Sequence, residues 1–218
     1  MFTLSTFYGI IVSTKAKGGP TLNSGYHHGD LRAELIREGL LILDREGCEG
    51  LSLRKVAKAC GVSQTAPYRH FKDKNELILA IVEQAMQAFN QSLADAAGKH
   101  DDPRLGLKEM GVAYVRFFVE NPEYLRFLFF TDPELKKEIE LCAQDAHFES
   151  GHPFATFYEA VKRYREAYPD RDAGQDELVL LCWGLVHGIA ALIANKAMPY
   201  GGDPIALAEK ILWDEKFL

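Results

Sequence analysis

From residue 30 onward, apolar side chains return every three or four positions, the spacing of one face of an α-helix, and no stretch alternates apolar and polar as a strand requires. The pattern predicts an all-α fold. Residues 30–46 form an amphipathic helix through Leu31, Leu35, Leu40, Leu41, Ile42 and Leu43, closed by Gly47. Residues 53–60 follow, with Ser52 as N-cap, Leu53, Val56, Ala57 and Cys60 on one buried stripe, and Arg54, Lys55 and Lys58 in water. Gly61 supplies the left-handed residue that stops this helix, and a further helix runs from Ser63 or Gln64 to about Phe71, with Pro67 in its first turn. Asp73 and Glu76 then form a capping box for a long helix reaching about Ala97. Beyond Gly98, helices are expected at about 103–120, 122–131, 133–149, 154–167, 175–197 and 204–216, punctuated by Pro122, Pro133, Pro153, Pro169 and Gly201-Gly202.

Charge changes this picture from a helical fold to a helical fold with a preferred end. Residues 52–74 hold six Lys or Arg against one acid, although the whole chain has a net charge of −6. Residues 1–80 carry 11 basic and 8 acidic groups, residues 81–218 carry 14 and 23. Positive charge concentrated on a helix, turn and helix is what contact with phosphates requires.

The stretch GVSQTAPYRHFKDKNEL resembles the helix-turn-helix of the TetR family of transcriptional regulators, in its Gly-Val-Ser turn, its Tyr, any residue, His-Phe, and the Lys and Leu beyond. The resemblance covers about residues 28–90, and Pro67 departs from it at a position usually held by an aliphatic residue. It implies a three-helix DNA-binding head at residues 26–90, joined by the long helix to a larger helical effector-binding and dimerisation domain at 91–218. Its reading element lies in a major groove of double-stranded operator DNA. Gln64, Thr65 and Arg69 suit base edges, Tyr68, His70 and Lys74 suit phosphates with Arg54 and Ser63 as helpers, and Phe71 and Val56 anchor the core.

Seven aromatics fall between Tyr114 and Phe130, and Phe148, Phe154, Phe157 and Tyr158 follow. Such stripes are usually core, and a pocket for an apolar molecule needs the same lining. The family's C-terminal domains commonly enclose an effector, which makes Tyr114, Phe117, Phe118, Phe127, Phe130, Phe157, Trp183 and His187 the candidate lining, the last two standing between this pocket and the dimer interface, with a structural role the more usual one for such a histidine. Residues 178–194 hold no charge, and the run reads as a helix buried on every side, short for a membrane span. Gly184, Gly188 and Ala191 would let a partner helix approach. The WxxxHG spacing of Trp183, His187 and Gly188 resembles the branch of TetR-type regulators named for those residues. That implies a four-helix dimer interface built from this helix and the one after Pro204, through Gly184, Gly188, Ala191, Leu192, Leu207 and Ile211.

The remaining features narrow the class. Cysteines 48, 60, 142 and 182 match neither a zinc site nor a disulfide framework, which points to the cytoplasm, and small buried hydrophobes are the simplest reading of Cys60 and Cys182. Residues 1–25 are expected to be a disordered arm, whose Lys15 and Lys17 could reach a groove. No metal-ligand spacing, phosphate loop or nucleophile motif occurs, and the ExxH of Glu149 and His152 lacks the further glutamates that a di-iron bundle needs. No catalytic residue, metal or cofactor is expected. The reading is a homodimeric repressor released by a small hydrophobic effector, with a non-specific DNA-architectural protein and a helical enzyme as the rivals.

Overall fold

A computed structural model describes residues 31–129, 152–169, 173–198 and 200–214. Eight α-helices and one 3-10 turn occur there, with no strand among the described residues. The expectations for the arm at 1–25 with Lys15 and Lys17, the helix at 133–149, Phe130, Cys142, Phe148 and Glu149 lie outside the described residues. The chain divides into two compact units, which among the described residues comprise 31–84 with 126–129, and 85–125 with 152–214.

In the first unit, α1 (Leu31–Gly50) turns Leu35, Ile36, Leu40, Ile42 and Leu43 inward. Gly39 lets it lie against α3 (Lys74–Ala97), since a Cβ there would stand 3.0 Å from Ile81 Cδ1 and 3.3 Å from Leu77 Cδ2. Gly47, at φ 69°, breaks the helical path where the sequence predicts a stop, although hydrogen bonding carries on to Gly50. The Ser52 hydroxyl accepts from Lys55 N–H at 3.2 Å and starts α2 (Leu53–Ala59), whose Leu53, Val56 and Ala57 are buried. Its end is a Schellman closure: Val62 N–H donates to Ala57 O at 3.0 Å and Gly61, at φ 67°, donates to Lys58 O at 3.2 Å. Arg126 of α5 (Pro122–Phe129) grips Asp44 of α1 through both carboxylate oxygens, at 2.5 and 2.7 Å.

The element after Gly61 corrects the sequence reading. An α-helix over 63–71 is expected, yet Ser63 to Ala66 form a turn and Pro67–Arg69 a single 3-10 turn. Pro67 has no N–H to return to the Ser63 carbonyl, which instead takes Ala66 N–H at 3.0 Å. The capping box before α3 also sits differently, because Asp73 accepts from Glu76 N–H as expected while Glu76 reaches back to Lys72 N–H rather than to Asp73.

In the second unit, α4 (Pro103–Glu120) is the central helix and packs on α6 (Pro153–Ala167), α7 (Gln175–Ala194) and α8 (Pro204–Leu212). Gly111 is where three of them meet, since a Cβ there would touch Val186 Cγ1 and Leu212 Cδ1, each at 3.3 Å. Four helices, α4, α5, α6 and α8, begin with a proline, at the one place where a missing N–H costs no hydrogen bond. Asp102 and Asp203 cap α4 and α8, accepting from Arg104 and Ile205 N–H at 2.8 Å each. For α6 the cap is His152, whose Nδ1 accepts from Phe154 N–H at 3.2 Å. Helix α7 ends at Ala194 and α8 at Leu212, each a turn or so short of the expected 197 and 216.

Candidate functional site

Ser63, Gln64, Thr65, Tyr68 and Arg69 are exposed, Tyr68 at 51%, while Pro67 and Phe71 on the same short segment are buried. Arg54 on α2 is exposed, and His70 and Lys74 are half-buried. All eight expected contact residues lie between Arg54 and Lys74 in the first unit, six of them exposed and two half-buried. Ser63 Oγ and Thr65 Oγ1 stand 3.2 Å apart and share a hydrogen bond. Phe71 is held beneath the Arg32 guanidinium, 5.4 Å from its ring centroid. Lys55 is committed to Glu46, and Lys74 Nζ donates to Cys48 Sγ at 3.2 Å. Lys58 and Lys72, which the sequence reading did not single out for contact, are exposed beside the others. Burial, followed by the nearby Glu34 and Glu38 carboxylates, pushes the half-buried Cys60 thiol up.

The second unit holds an aromatic core with one polar pair inside it. Phe89 of α3 lies 5.1, 5.1 and 4.6 Å from the rings of Tyr114, Phe117 and Phe118. Trp183 meets Tyr114, Phe154 and Phe157 edge-on at 5.3, 5.5 and 5.0 Å. Tyr114 Oη is 2.9 Å from His187 Nδ1. Burial holds the Tyr114 phenol well above its ordinary range and His187 below its own, so a neutral hydroxyl faces a neutral imidazole. The hydroxyl donates, because its buried proton would otherwise lose an acceptor at a cost of about 1–3 kcal/mol. This assigns the imidazole proton to Nε2.

Trp183 and His187 thus face the interior of their unit. Of the other expected lining residues, Tyr114, Phe118 and Phe157 are buried here and Phe117 is half-buried, whereas Phe127 belongs to the first unit. Phe89 and Phe154 join the cluster although neither was placed in the lining; Phe154 stands in the aromatic run that the sequence shows, and Phe89 is on the apolar face of the long helix, apart in sequence from the other rings.

The opposite side of α7 overturns the expectation of a helix buried all round. Leu178, Val179, Val186 and Ala190 are buried, yet Leu180, Leu181 and Leu192 are 68%, 65% and 48% exposed. A Cβ on Gly184 or Gly188 would find nothing within 4 Å. Ala191 on α7, and Leu207 and Ile211 on α8, are half-buried. The helix is apolar on both sides, and only one of them is covered. By length and composition α7 could also cross a membrane, a property that core helices share. Among the described residues no group of His, Cys, Asp or Glu could hold a metal ion.

A cationic head and an all-helical unit with an aromatic core are the parts of a DNA-binding transcription regulator. Comparison with known proteins agrees. Residues 35–81 match the family profile described as bacterial regulatory proteins, tetR family, and residues 107–214 match that of the tetracyclin repressor-like C-terminal domain. The tetracycline repressor protein class C of Escherichia coli is 40% identical over 73 residues, 34% of this chain and 30% of that protein. The nucleoid occlusion factor SlmA of Haemophilus ducreyi is 25% identical over 150 residues, 66% of this chain and 72% of that one. The crystal structure of a TetR family transcription regulator from Marinobacter aquaeolei shares the fold at a TM-score of 0.59 and 21% identity, covering 84% of this chain and 93% of that one. The chain belongs to the TetR family: it is a transcription regulator, not an enzyme, with an N-terminal DNA-binding and a C-terminal ligand-binding domain.

Proposed function

We propose that this regulator works in the cytoplasm as a homodimeric repressor whose two heads occupy successive major grooves of a near-palindromic operator, about 34–36 Å apart. Gln64, Thr65 and Arg69 read base edges. Tyr68, His70 and Lys74 hold phosphates, and Arg54 and Ser63 help to position the head. The observation that carries this is the exposure of Gln64, Thr65, Tyr68 and Arg69 on a segment fixed from beneath by Pro67 and Phe71.

Pairing runs through the open face of α7 and through α8, where Gly184 and Gly188 leave room for a second helix and Leu192, Leu207 and Ile211 supply apolar area. The WxxxHG residues divide accordingly, Trp183 and His187 inward and Gly188 toward the partner, which supports placing the chain in the branch named for them. A small apolar effector binds in the domain formed by residues 91–218, in contact with Phe117, Trp183 and His187, with no metal or other cofactor. Helix α3 runs continuously from the head into the second unit and is the element able to carry a signal of about 1–3 kcal/mol, a 5- to 150-fold change in operator affinity.

The test is selection of bound duplexes from a random-sequence pool by the full-length protein, followed by thermal-shift screening of apolar compounds. The expected outcome is a two-fold-symmetric consensus, and a stabilising compound that weakens binding to it. Enrichment of no sequence over random DNA would place the protein among non-specific DNA binders instead.

A further inference from the structure

The segment that meets bases in this mode is not an α-helix, and Pro67 is the reason. Without an amide hydrogen at residue 67, the Ser63 carbonyl accepts from Ala66, three residues on. The three-residue step recurs from Arg69 N–H to Ala66 O at 3.2 Å and from His70 N–H to Pro67 O at 2.9 Å. A four-residue step returns only where Phe71 N–H reaches Pro67 O, also at 2.9 Å. Three residues per turn in place of 3.6 changes which side chains line up. In an α-helix Thr65 and Arg69, four apart, would share a row. At three residues per turn, the spacing of the Pro67–Arg69 turn, Thr65 would fall in line with Tyr68 instead, and Arg69 would swing up to about 80° further from Thr65. The residue in line with Arg69 is then Ala66, which has no hydrogen-bonding group to offer a base. Thr65 is further restrained through the Ser63 hydroxyl, and Pro67 itself is buried, touching the core of the head.

We infer that Pro67 is a positioning residue for operator choice: it holds the reading segment in a three-residue register that separates Arg69 from Thr65, and so decides which base pairs the two can address together. This rests on the assignment of Thr65 and Arg69 to base edges given above.

The test repeats the random-sequence selection with the full-length wild type and with Pro67→Ala and Pro67→Leu. Each variant restores an amide at residue 67, and the leucine keeps apolar volume at a buried site should the alanine variant unfold. Both variants are expected to retain helical content by circular dichroism while their consensus changes at one or two positions per half-site, by about tenfold, the scale of one good base contact. Variants that keep the wild-type ranking of sites, with affinity scaled evenly across all of them, overturn the inference. Thr65→Ala and Arg69→Ala in the same selection separate it from the reading beneath it. If they alter the consensus and the Pro67 variants do not, only the role of Pro67 falls; if they leave it unchanged, the base-reading assignment falls and takes Pro67 with it.

Discussion

Arg69 and Lys74 carry the same charge but stand in different places, and their loss should be felt differently. Arg69 is exposed on the reading segment, while half-buried Lys74 opens α3 and holds Cys48 Sγ at 3.2 Å. Arg69→Ala is expected to cost about 1–3 kcal/mol on the preferred operator and to relax preference at one base pair. Lys74→Ala should weaken binding to every duplex alike and reduce the slope of log affinity against log salt by about one. Titration of both variants against the selected duplex and a scrambled one, at several salt concentrations, reads out the two signatures. Two histidines give the second unit a pH dependence. Burial holds His152 and His187 below the ordinary imidazole value, and both use Nδ1 as an acceptor or as the partner of a hydroxyl, a role lost on protonation. The unfolded chain then binds protons more readily, so this stability is complete above about pH 6.5 and is eroded as pH falls toward the lowered values. The thermal midpoint should drop between pH 7.5 and 5.5, and the combined variant His152→Asn, His187→Gln should drop less. An equal drop would assign the effect to other groups.

Elements defined by their own termini were readable in advance. The Ser52 cap, the left-handed Gly61 and the Asp73 to Glu76 contact are signals confined to a few neighbouring residues, and each acts where the sequence points. Pro67 was legible as an irregularity, but the conversion of the segment to a 3-10 turn was not, because that depends on where the Ser63 carbonyl finds a donor. In the second unit the apolar character of 178–194 was plain, whereas its division into a covered and an open face depends on which helices come to lie beside it. Close approaches are equally invisible beforehand. Gly106 in α4 looks like a helix-weakening residue, yet a Cβ there would stand 2.8 Å from the Ala97 carbonyl oxygen at the end of α3. Gly106→Ala should therefore destabilise, by about 1–3 kcal/mol, despite the better helix propensity of alanine. Urea denaturation followed by circular dichroism measures the sign, and a gain in stability would show that the two helix ends are free to separate.

At the scale of the whole molecule, the proposed pairing makes the bare side of α7 a testable surface. Gly184 is exposed with nothing near its missing Cβ, so Gly184→Leu should leave the protomer at least as stable, leucine being about 1 kcal/mol better than glycine in a helix. A partner helix brought close would meet the new side chain. Sedimentation velocity is expected to show the dimer dissociation constant raised about tenfold or more, with operator binding weakened in parallel. A variant that dimerises as the wild type does would move the interface elsewhere.

The leucines left in water on α7 also tie gene dosage to control. If two chains must meet before two heads can straddle one operator, occupancy climbs with the square of the chain's abundance while copies are scarce, in direct proportion once pairs predominate, and levels off only when the operator is filled. Halving expression would then cost the promoter nearly three quarters of its coverage in the sparse regime and very little in the crowded one. Leu180, Leu181 and Leu192 would thus help to set the expression level at which a promoter first responds.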